Sequence, residues 1–500
     1  MKPRISTCIT AVAFFAALSV PVQTAAQNNN NEHRPTHHHY QLIDMGTFGG
    51  PSSYFTIVGT RPVNTHGTAT GAADTTIPDP YAPNCFFPEC LVAHTFAYEN
   101  GHITDLGSLP GVNNSGPNDI NAKGVIVGIS ENGAIDPITG FPETVAVVWK
   151  NGQIITLPNF GGNFSYANAI NNRDQIAGFA LNTTLDSFGF AELCFNPPFG
   201  QQQLAVIWQN EIPQTLGTLG GPDSCALWIN EKGQAAGHSL TNAVINPVTG
   251  FPTVDPFIWD HSRMLDLGTL GGTLGLANKL NNRGQVVGQS NLAGDLTAHP
   301  FLWDRGSLID LGTLGGSFGL ASSVSDSGII VGGATNQNDQ AFFAFLWKNG
   351  VMTNLGTLAG DDCSLANSVN SGGQVVGFSF PCAGGPSRAF LWQNGSIFDL
   401  NTYVPVGSDL TLSEATFVND RGEIAVQGVA SNGDQHAVLL IPCGGCLDAE
   451  GKAASAENSG APSQRLTSNQ ERLAPSDTAV TWRARLARRH YIPSVVAPRN

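Results

Sequence analysis

The chain has 500 residues, of which 12% are charged and 41% hydrophobic, with a formal net charge of −15. The residues after Leu447 carry eight Lys or Arg against five Asp or Glu, so residues 1–447 sum to −18. A body of that sign repels nucleic-acid phosphates and anionic membrane surfaces, which excludes a nucleic-acid partner held by charge.

In chain order, Lys2 and Arg4 precede an apolar run from Cys8 to Val22 and the small residues Thr24-Ala25-Ala26. That is the pattern of a secretory signal peptide spanning 1–26. Residues 27–39, QNNNNEHRPTHHH, are polar and aperiodic and read as a flexible linker. No later window offers about 18 uninterrupted apolar residues, so no membrane span is expected and the address is secreted or periplasmic. Eight cysteines follow Cys8: Cys85, Cys90, Cys194, Cys225, Cys363, Cys382, Cys443 and Cys446. An even number in an exported chain points to disulfides, with the pairing open. Cys443-Gly-Gly-Cys446 reads as a short structural bridge or two free thiols. No βαβ pattern precedes it, and no second CxxC completes a zinc site.

From Tyr40 onward four segments recur in fixed order. One ends in the phrase DLGTLGG, complete at 266–272 and 310–316 and recognisable eight times in all, the last time degraded to IFDLN at 397–401. Next comes a short strand ending in Asn, as in Ile120-Asn121, Ile170-Asn171 and Leu280-Asn281. A GQVVG-type strand follows, and then an aliphatic–Trp strand carrying Trp149, Trp208, Trp259, Trp303, Trp347 and Trp392. The Trp-to-Trp steps are 59, 51, 44, 44 and 45 residues, which allots about 11 residues to each strand and turn. Asn and Gly in NNRG (281–284), NDRG (419–422) and the KNG and QNG triplets mark the links as hairpin turns.

This period predicts an all-β protein, a β-propeller of four-stranded blades over 40–442. The array opens at Gln41 with the fourth strand of a unit and closes at 436–441 with a third. The two remnants make one blade, so eight blades closed by the N-terminal strand are expected, with seven as the alternative. Closure removes the unpaired edges that an open array would expose. Residues 443–500 read as a disordered tail, its arginines 483, 485, 488 and 489 solvated. The array is expected to be monomeric.

The DLGTLGG, N-x-x-G-Q-V-V-G and H-A-F-L-W blocks resemble the HAF repeat family of extracellular bacterial repeat proteins, over about 41–441. The naming triplet is imperfect: Ala389-Phe390 and Ala344-Phe345 keep two letters, His299-Pro300-Phe301 replaces the Ala, and His436-Ala437 lacks the Phe. The resemblance implies export and repetition. It implies no catalytic residues.

Length variation falls almost entirely in the connections between second and third strands, roughly 72–93, 129–143, 179–203, 238–255 and 378–387. Variable loops on a rigid scaffold are where binding residues tend to sit. Phe86 and Phe87, inside Cys85–Cys90, and Phe195 and Phe199, beside Cys194, are therefore the ligand-binding candidates, set against a reading in which they bury the loops. Cys363 with Cys382 and Cys194 with Cys225 are candidate bridges. The repeated Gly pairs lack the helix and Lys of a phosphate loop and suit a tight corner. The repeated Trp residues suit packing between blades. Asp105, Asp266, Asp310 and Asp399 recur at the head of the key phrase and suit turn chemistry. His66, His94, His102, His238, His261, His299 and His436 share no single blade position, and neither H-E-x-x-H nor G-x-S-x-G occurs. No catalytic residue, metal site or cofactor is expected. Two functions stand against each other: a non-enzymatic module binding an extracellular polysaccharide or protein, and a propeller hydrolase or lyase acting on a glycan.

Overall fold

The structure, a computed structural model, describes residues 39–55, 60–82, 85–186 and 200–443. The expected signal peptide, most of the expected linker and nearly all of the expected tail, together with Cys194, Cys446, Phe195 and Phe199, lie outside the described residues. Those described form 32 strands and two short 3-10 turns. The protein is all-β. Among the described residues no helix is long and apolar enough to cross a membrane.

The strands fall into eight antiparallel groups of four, here called units 1 to 8 in chain order: 49–107, 115–156, 161–217, 224–266, 271–310, 315–356, 363–399, and 411–443 with 39–44. Unit 5 shows the pattern: Gly271–Leu280, Val286–Leu292, Ala298–Asp304 and Ser307–Asp310 pair in sequence order. Single parallel residue pairs, Val254 with Leu274 and Ala298 with Phe318, join units 4, 5 and 6. Unit 8 takes three strands from the C-terminal end, Thr411–Val418, Ile424–Val429 and Gln435–Cys443, and its outer strand from the N-terminal end, His39–Asp44. These pair in register from His39–Cys443 to Asp44–Val438. The strands reach one residue further out at each end than the 40–442 expected from the sequence.

The key phrase is a corner whose letters each have a task. In 266–272, Asp266 Oδ1 accepts the Gly268 N–H at 2.7 Å, and Gly268 sits at φ +71°. Thr269 Oγ1 donates to the Gly272 carbonyl at 2.7 Å. Gly271 has φ +106°, and a Cβ on Gly272 would stand 2.6 Å from Asp295 Oδ1. The corner thus needs positive φ twice and a close approach once, which glycine alone meets without strain. Asp105 and Asp310 cap their glycines in the same way, and Asp399 caps the Asn401 N–H.

The Asn-ending strand supplies the joint between units. Asn281 Oδ1 accepts the N–H groups of Arg283 and Gln285, each at 3.0 Å, which closes the N-x-x-G turn. Its Nδ2 donates to the Ser325 carbonyl of the next unit at 2.9 Å. An amide is required because it accepts on one atom and donates on the other, whereas a carboxylate offers no donor. The same donation runs from Asn64 to Asn121, Asn121 to Asn171, Asn171 to Asn230, Asn230 to Asn281, Asn370 to Asn419, and from Asn419 back to Asn64. Where unit 6 has Ser325 instead, Ser327 Oγ reaches the Ser371 carbonyl.

A second set of clips joins third strands to the next unit's first strand. Backbone N–H groups of Thr95, Ala146, Ala205, Ala344 and Ala437 donate to the hydroxyls of Ser115, Ser165, Ser224, Ser364 and Ser53. The last of these joins unit 8 to unit 1. Pro256 and Pro300, which have no N–H, face glycines: a Cβ on Gly275 would lie 2.7 Å from Pro256 Cδ, and one on Gly319 2.9 Å from Pro300 Cδ. The departure at His299-Pro300-Phe301 therefore changes chemistry as well as bulk, and the next unit compensates for it.

The repeated Trp residues pack between units, as expected. Trp149, Trp208 and Trp259 are buried; Trp303, Trp347 and Trp392 lie half-buried against the adjoining cores. Trp149 Nε1 donates to the Gly107 carbonyl and Trp208 Nε1 to that of Pro158, both in the preceding unit.

Candidate functional site

Two of the expected bridges are present, Cys85–Cys90 and Cys363–Cys382. Cys225 and Cys443 are disulfide-bonded as well. The ligand atoms of Asp362, Cys363 and Cys382 cluster within 4.8 Å, but both sulfurs belong to the bridge.

The stapled loop does not display two aromatics. Phe87 is 7% exposed and stacks on Tyr54 with centroids 5.3 Å apart, so it fastens the loop to unit 1. Phe86 is 41% exposed and meets the edge of Phe87.

The histidines also need correction. His94, His299 and His436 occupy one equivalent place, each with Nδ1 within 3.0 Å of the carboxylate heading the key phrase: Asp105, Asp310 and Asp44. Arg388 does the same with Asp399 at 3.0 Å. These pairs span only 11 residues within units 1, 5 and 7, yet in unit 8 the partners are 392 apart. They latch the outer strand to the third.

Non-repeating chemistry converges elsewhere. In units 2 to 8 a bulge interrupts the first strand three residues before the turn Asn or its Ser325 equivalent, as between Ala167 and Ala169 or Ala277 and Lys279. Bulge residues Asn118, Asn168, Asn278 and Asn367 donate to the next unit's backbone, a second tier of joints. The residue after the bulge then reads Asp119, Ala169, Trp228, Lys279, Ser323, Ser368 and Phe417, whereas the one following it is always Ile, Leu or Val. One position varies freely beside one that does not.

Trp228, Lys279, Ser323, Ser368 and Phe417, together with Arg61 of unit 1, line a cavity of about 250 Å³. Its mouth is ringed by the residues that follow the turn Asn, among them Asn172, Glu231, Asn282, Asp326, Ser371 and Asp420. It lies at the end of the first strands, by the short uniform turns and opposite the long loops that carry Phe86.

Charges inside are partly committed. Arg61 forms a two-pronged pair with Asp119, Nε to Oδ1 at 2.8 Å and Nη2 to Oδ2 at 2.9 Å, and Asp119 also accepts the Ile120 and Ile170 N–H groups. Lys279 Nζ lies 3.3 Å from the centroid of the Trp228 ring, a cation–π contact. Trp228 Nε1 donates to the Asn278 carbonyl. Burial, then the neighbouring Arg61 guanidinium, lowers Lys279 to about 7. At the mouth, Glu231, Asn282, Asp326 and Asp420 each accept the backbone N–H of the preceding unit's rim residue. Asp326 also accepts from the Asn282 amide and Asp420 from the Ser371 hydroxyl, so each of these carboxylates, with about four lone-pair sites, is positioned by two bonds and keeps the remainder for a ligand.

Sequence reasoning missed this site because it searched the long loops. The signal was present in the variable letter two residues before Asn in otherwise matching strands, but its meaning depends on which strands come together at the cavity.

No family model and no curated protein sequence matches the chain. Among solved structures it is similar to dipeptidyl peptidase 4 of Porphyromonas gingivalis, at 10% identity over 78% of this chain and 60% of that one, with a TM-score of 0.44. TolB of Acinetobacter baumannii matches at 11% identity, 65% and 81% coverage and a TM-score of 0.30. Trypanosoma rangeli sialidase matches at 12%, 69% and 56%, and 0.29. The chain spans 60% of the length of the peptidase. Likenesses this slight transfer no chemistry.

Proposed function

We propose that the chain is an exported eight-bladed β-propeller of HAF-repeat type that binds a small hydroxylated ligand, the end of a saccharide chain, in its axial cavity. The turn-Asn joints running from Asn64 through Asn419 and back to Asn64 support the ring, and the disulfides fit an oxidising compartment.

One observation carries the binding site: the freely varying position of an otherwise repeated strand converges on one cavity. Structural repetition explains the aliphatic and Asn positions; Trp228 and Phe417 also pack against neighbouring cores, and their difference from unit to unit is what supports a ligand-facing role. The cavity is close to the lower bound of about 300 Å³ for small-molecule sites. Two aromatic walls, hydroxyl and ammonium donors, and rim carboxylates that accept hydrogen bonds suit a sugar, which presents apolar C–H faces between hydroxyl groups.

Calorimetric titration of the mature chain with a panel of neutral and acidic oligosaccharides tests this. Trp228→Ala and Asp326→Asn are expected to weaken binding at least tenfold, and Phe86→Ala to leave it unchanged. Binding lost with Phe86 and retained without Trp228 returns the site to the long loops. The hydrolase or lyase alternative draws on Lys279, whose pKa near 7 suits proton transfer. Turnover of a bound oligosaccharide that Lys279→Met abolishes without loss of binding establishes that alternative.

A further inference from the structure

Inside the cavity lined by Trp228 the charges do not balance. Asp119, behind its wall, is fully buried and takes four hydrogen bonds, two from Arg61 and one each from the Ile120 and Ile170 N–H groups. A carboxylate has about four lone-pair sites, so Asp119 is saturated and neutralises a single cation. Two cationic side chains nevertheless line the cavity, Arg61 and Lys279. The carboxylates among the lining residues, Glu231, Asp326 and Asp420, stand at the mouth, where Asp326 and Asp420 are exposed and screened by solvent.

Arg61 also has donors to spare. A guanidinium carries N–H groups on all three nitrogens. Nε and Nη2 direct theirs to Asp119 and the Ile170 carbonyl, whereas Nη1 has no hydrogen-bond partner among the described residues. The Arg61 side chain keeps 32% exposure although it is tied to a buried carboxylate, and it lines the cavity. Lys279 brings a second cation to the same space, its Nζ held over the Trp228 ring. Burying a charge without a counter-charge is costly, and Lys279 responds by giving up its proton more readily. Burial, then the Arg61 guanidinium, lower it to about 7, and Asp119 offsets them only in part. An anion entering the cavity supplies the charge that its walls lack.

We propose that the ligand is an acidic sugar whose carboxylate is held between Arg61 Nη1 and Lys279 Nζ, an inference that rests on reading this cavity as a saccharide site. Trp228 and Phe417 take the C–H faces of the ring, and the carboxylates at the mouth accept from its hydroxyls. The same carboxylates repel further negative charge, which favours a singly charged carboxylate over a phosphate ester. Binding is coupled to a proton. The bound carboxylate favours the ammonium form of Lys279, so above about pH 7 the complex takes up a proton there, and affinity falls as pH rises. The other charged groups facing Lys279 are Arg61 and Asp119 within and Glu231, Asp326 and Asp420 at the mouth; no histidine lines the cavity among the described residues.

The test titrates the mature chain, disulfides intact, with glucuronate and galacturonate and with their amides, which keep the hydroxyls and lose the charge. By calorimetry at pH 6 the acids should bind at least tenfold more tightly than the amides. At pH 8, titrations in HEPES and in Tris, whose ionisation enthalpies differ, should show uptake of close to one proton per ligand, nearly absent at pH 6. Lys279→Gln should lose the uptake and weaken the acids at least tenfold. Lys279→Arg, charged throughout, should keep the preference for the acids and lose the uptake. Amides bound as tightly as the acids, or glucose 6-phosphate bound more tightly than glucuronate, overturn the carboxylate while leaving the saccharide site in place. Proton uptake undiminished in Lys279→Gln overturns Lys279 as its seat. If acids, amides and neutral oligosaccharides all fail to bind, the saccharide site itself is refuted and the acidic sugar with it.

Discussion

Asn419 closes the circuit of turn amides, donating at 3.0 Å to the carbonyl of Asn64, 355 residues away in sequence. Its Oδ1 accepts the N–H groups of Arg421 and Glu423 at 3.0 Å each, and its Nδ2 also donates to Glu423 Oε2 at 2.6 Å; Asn419 is 5% and Glu423 2% exposed. Asn419→Ala removes the cross-junction bond and the two turn bonds at about 1 kcal/mol net apiece, and strands at least one buried partner at about 1–3 kcal/mol. The expected loss is about 4–6 kcal/mol. Asn419→Asp should cost at least as much, because it keeps the acceptor for the turn but turns a carboxylate towards both the Asn64 carbonyl and Glu423. Asn230→Ala, whose partners are the same in kind, is the internal control. Urea unfolding of the oxidised protein, followed by Trp fluorescence and circular dichroism to check for coincident transitions, gives the differences. If Asn419→Ala costs under about 1 kcal/mol while Asn230→Ala costs 3 or more, the joint between units 8 and 1 does not bear on stability and the closed ring is refuted.

Two further perturbations address individual joints. Gly319→Ser should destabilise by about 1–3 kcal/mol, because its Cβ would stand 2.9 Å from Pro300 Cδ. Adding Pro300→Ala should recover at least half by recreating the pair that Ala344 and Ser364 form; a double mutant no better than the single refutes the compensation. The His436–Asp44 latch predicts a pH dependence. The hydrogen bond that His436 donates to the Asp44 carboxylate raises His436 above 6.5, so its contribution is complete below 6.5 and fades as pH climbs through the raised value. Burial alone would raise Asp44, but the hydrogen bonds from His436 and the Gly46 N–H hold it below 3.8, so its contribution is lost as pH falls through that lowered value. Both groups keep substantial exposure, which limits the pair to about 1 kcal/mol or less. The stability gap between wild type and His436→Ala should be widest between pH 4 and 6 and narrow toward pH 8; a gap that widens with pH rejects the latch.

The cavity lined by Trp228, Lys279 and Phe417 brings together positions that vary from unit to unit beside positions that do not. The aliphatic and Asn positions recur because every unit uses them in the same way, whereas Trp228 departs at a position that lines the cavity.

Much of the architecture was legible in the linear order of residues. The strand order, the outer strand shared between the two ends, the Asp-capped corner at 266–272 and the Cys85–Cys90 and Cys363–Cys382 bridges all follow from local patterns. Backbone turns, alternation and short disulfide loops are determined by residues close in sequence, so a period of about 44 residues exposes them repeatedly. Tertiary structure alone decided the rest. Asn281 finds its carbonyl 44 residues on, Asn419 finds its own 355 residues back, and His436 finds Asp44 at a distance of 392. The loop sequence leaves Phe87 open between ligand contact and burial of the loop, and Tyr54 from the adjoining strand decides for burial. A repeating sequence determines which groups each unit offers to its neighbours. Which neighbour receives them, and which varying side chains end up lining one cavity, depends on how the units pack against one another, and no single repeat encodes that.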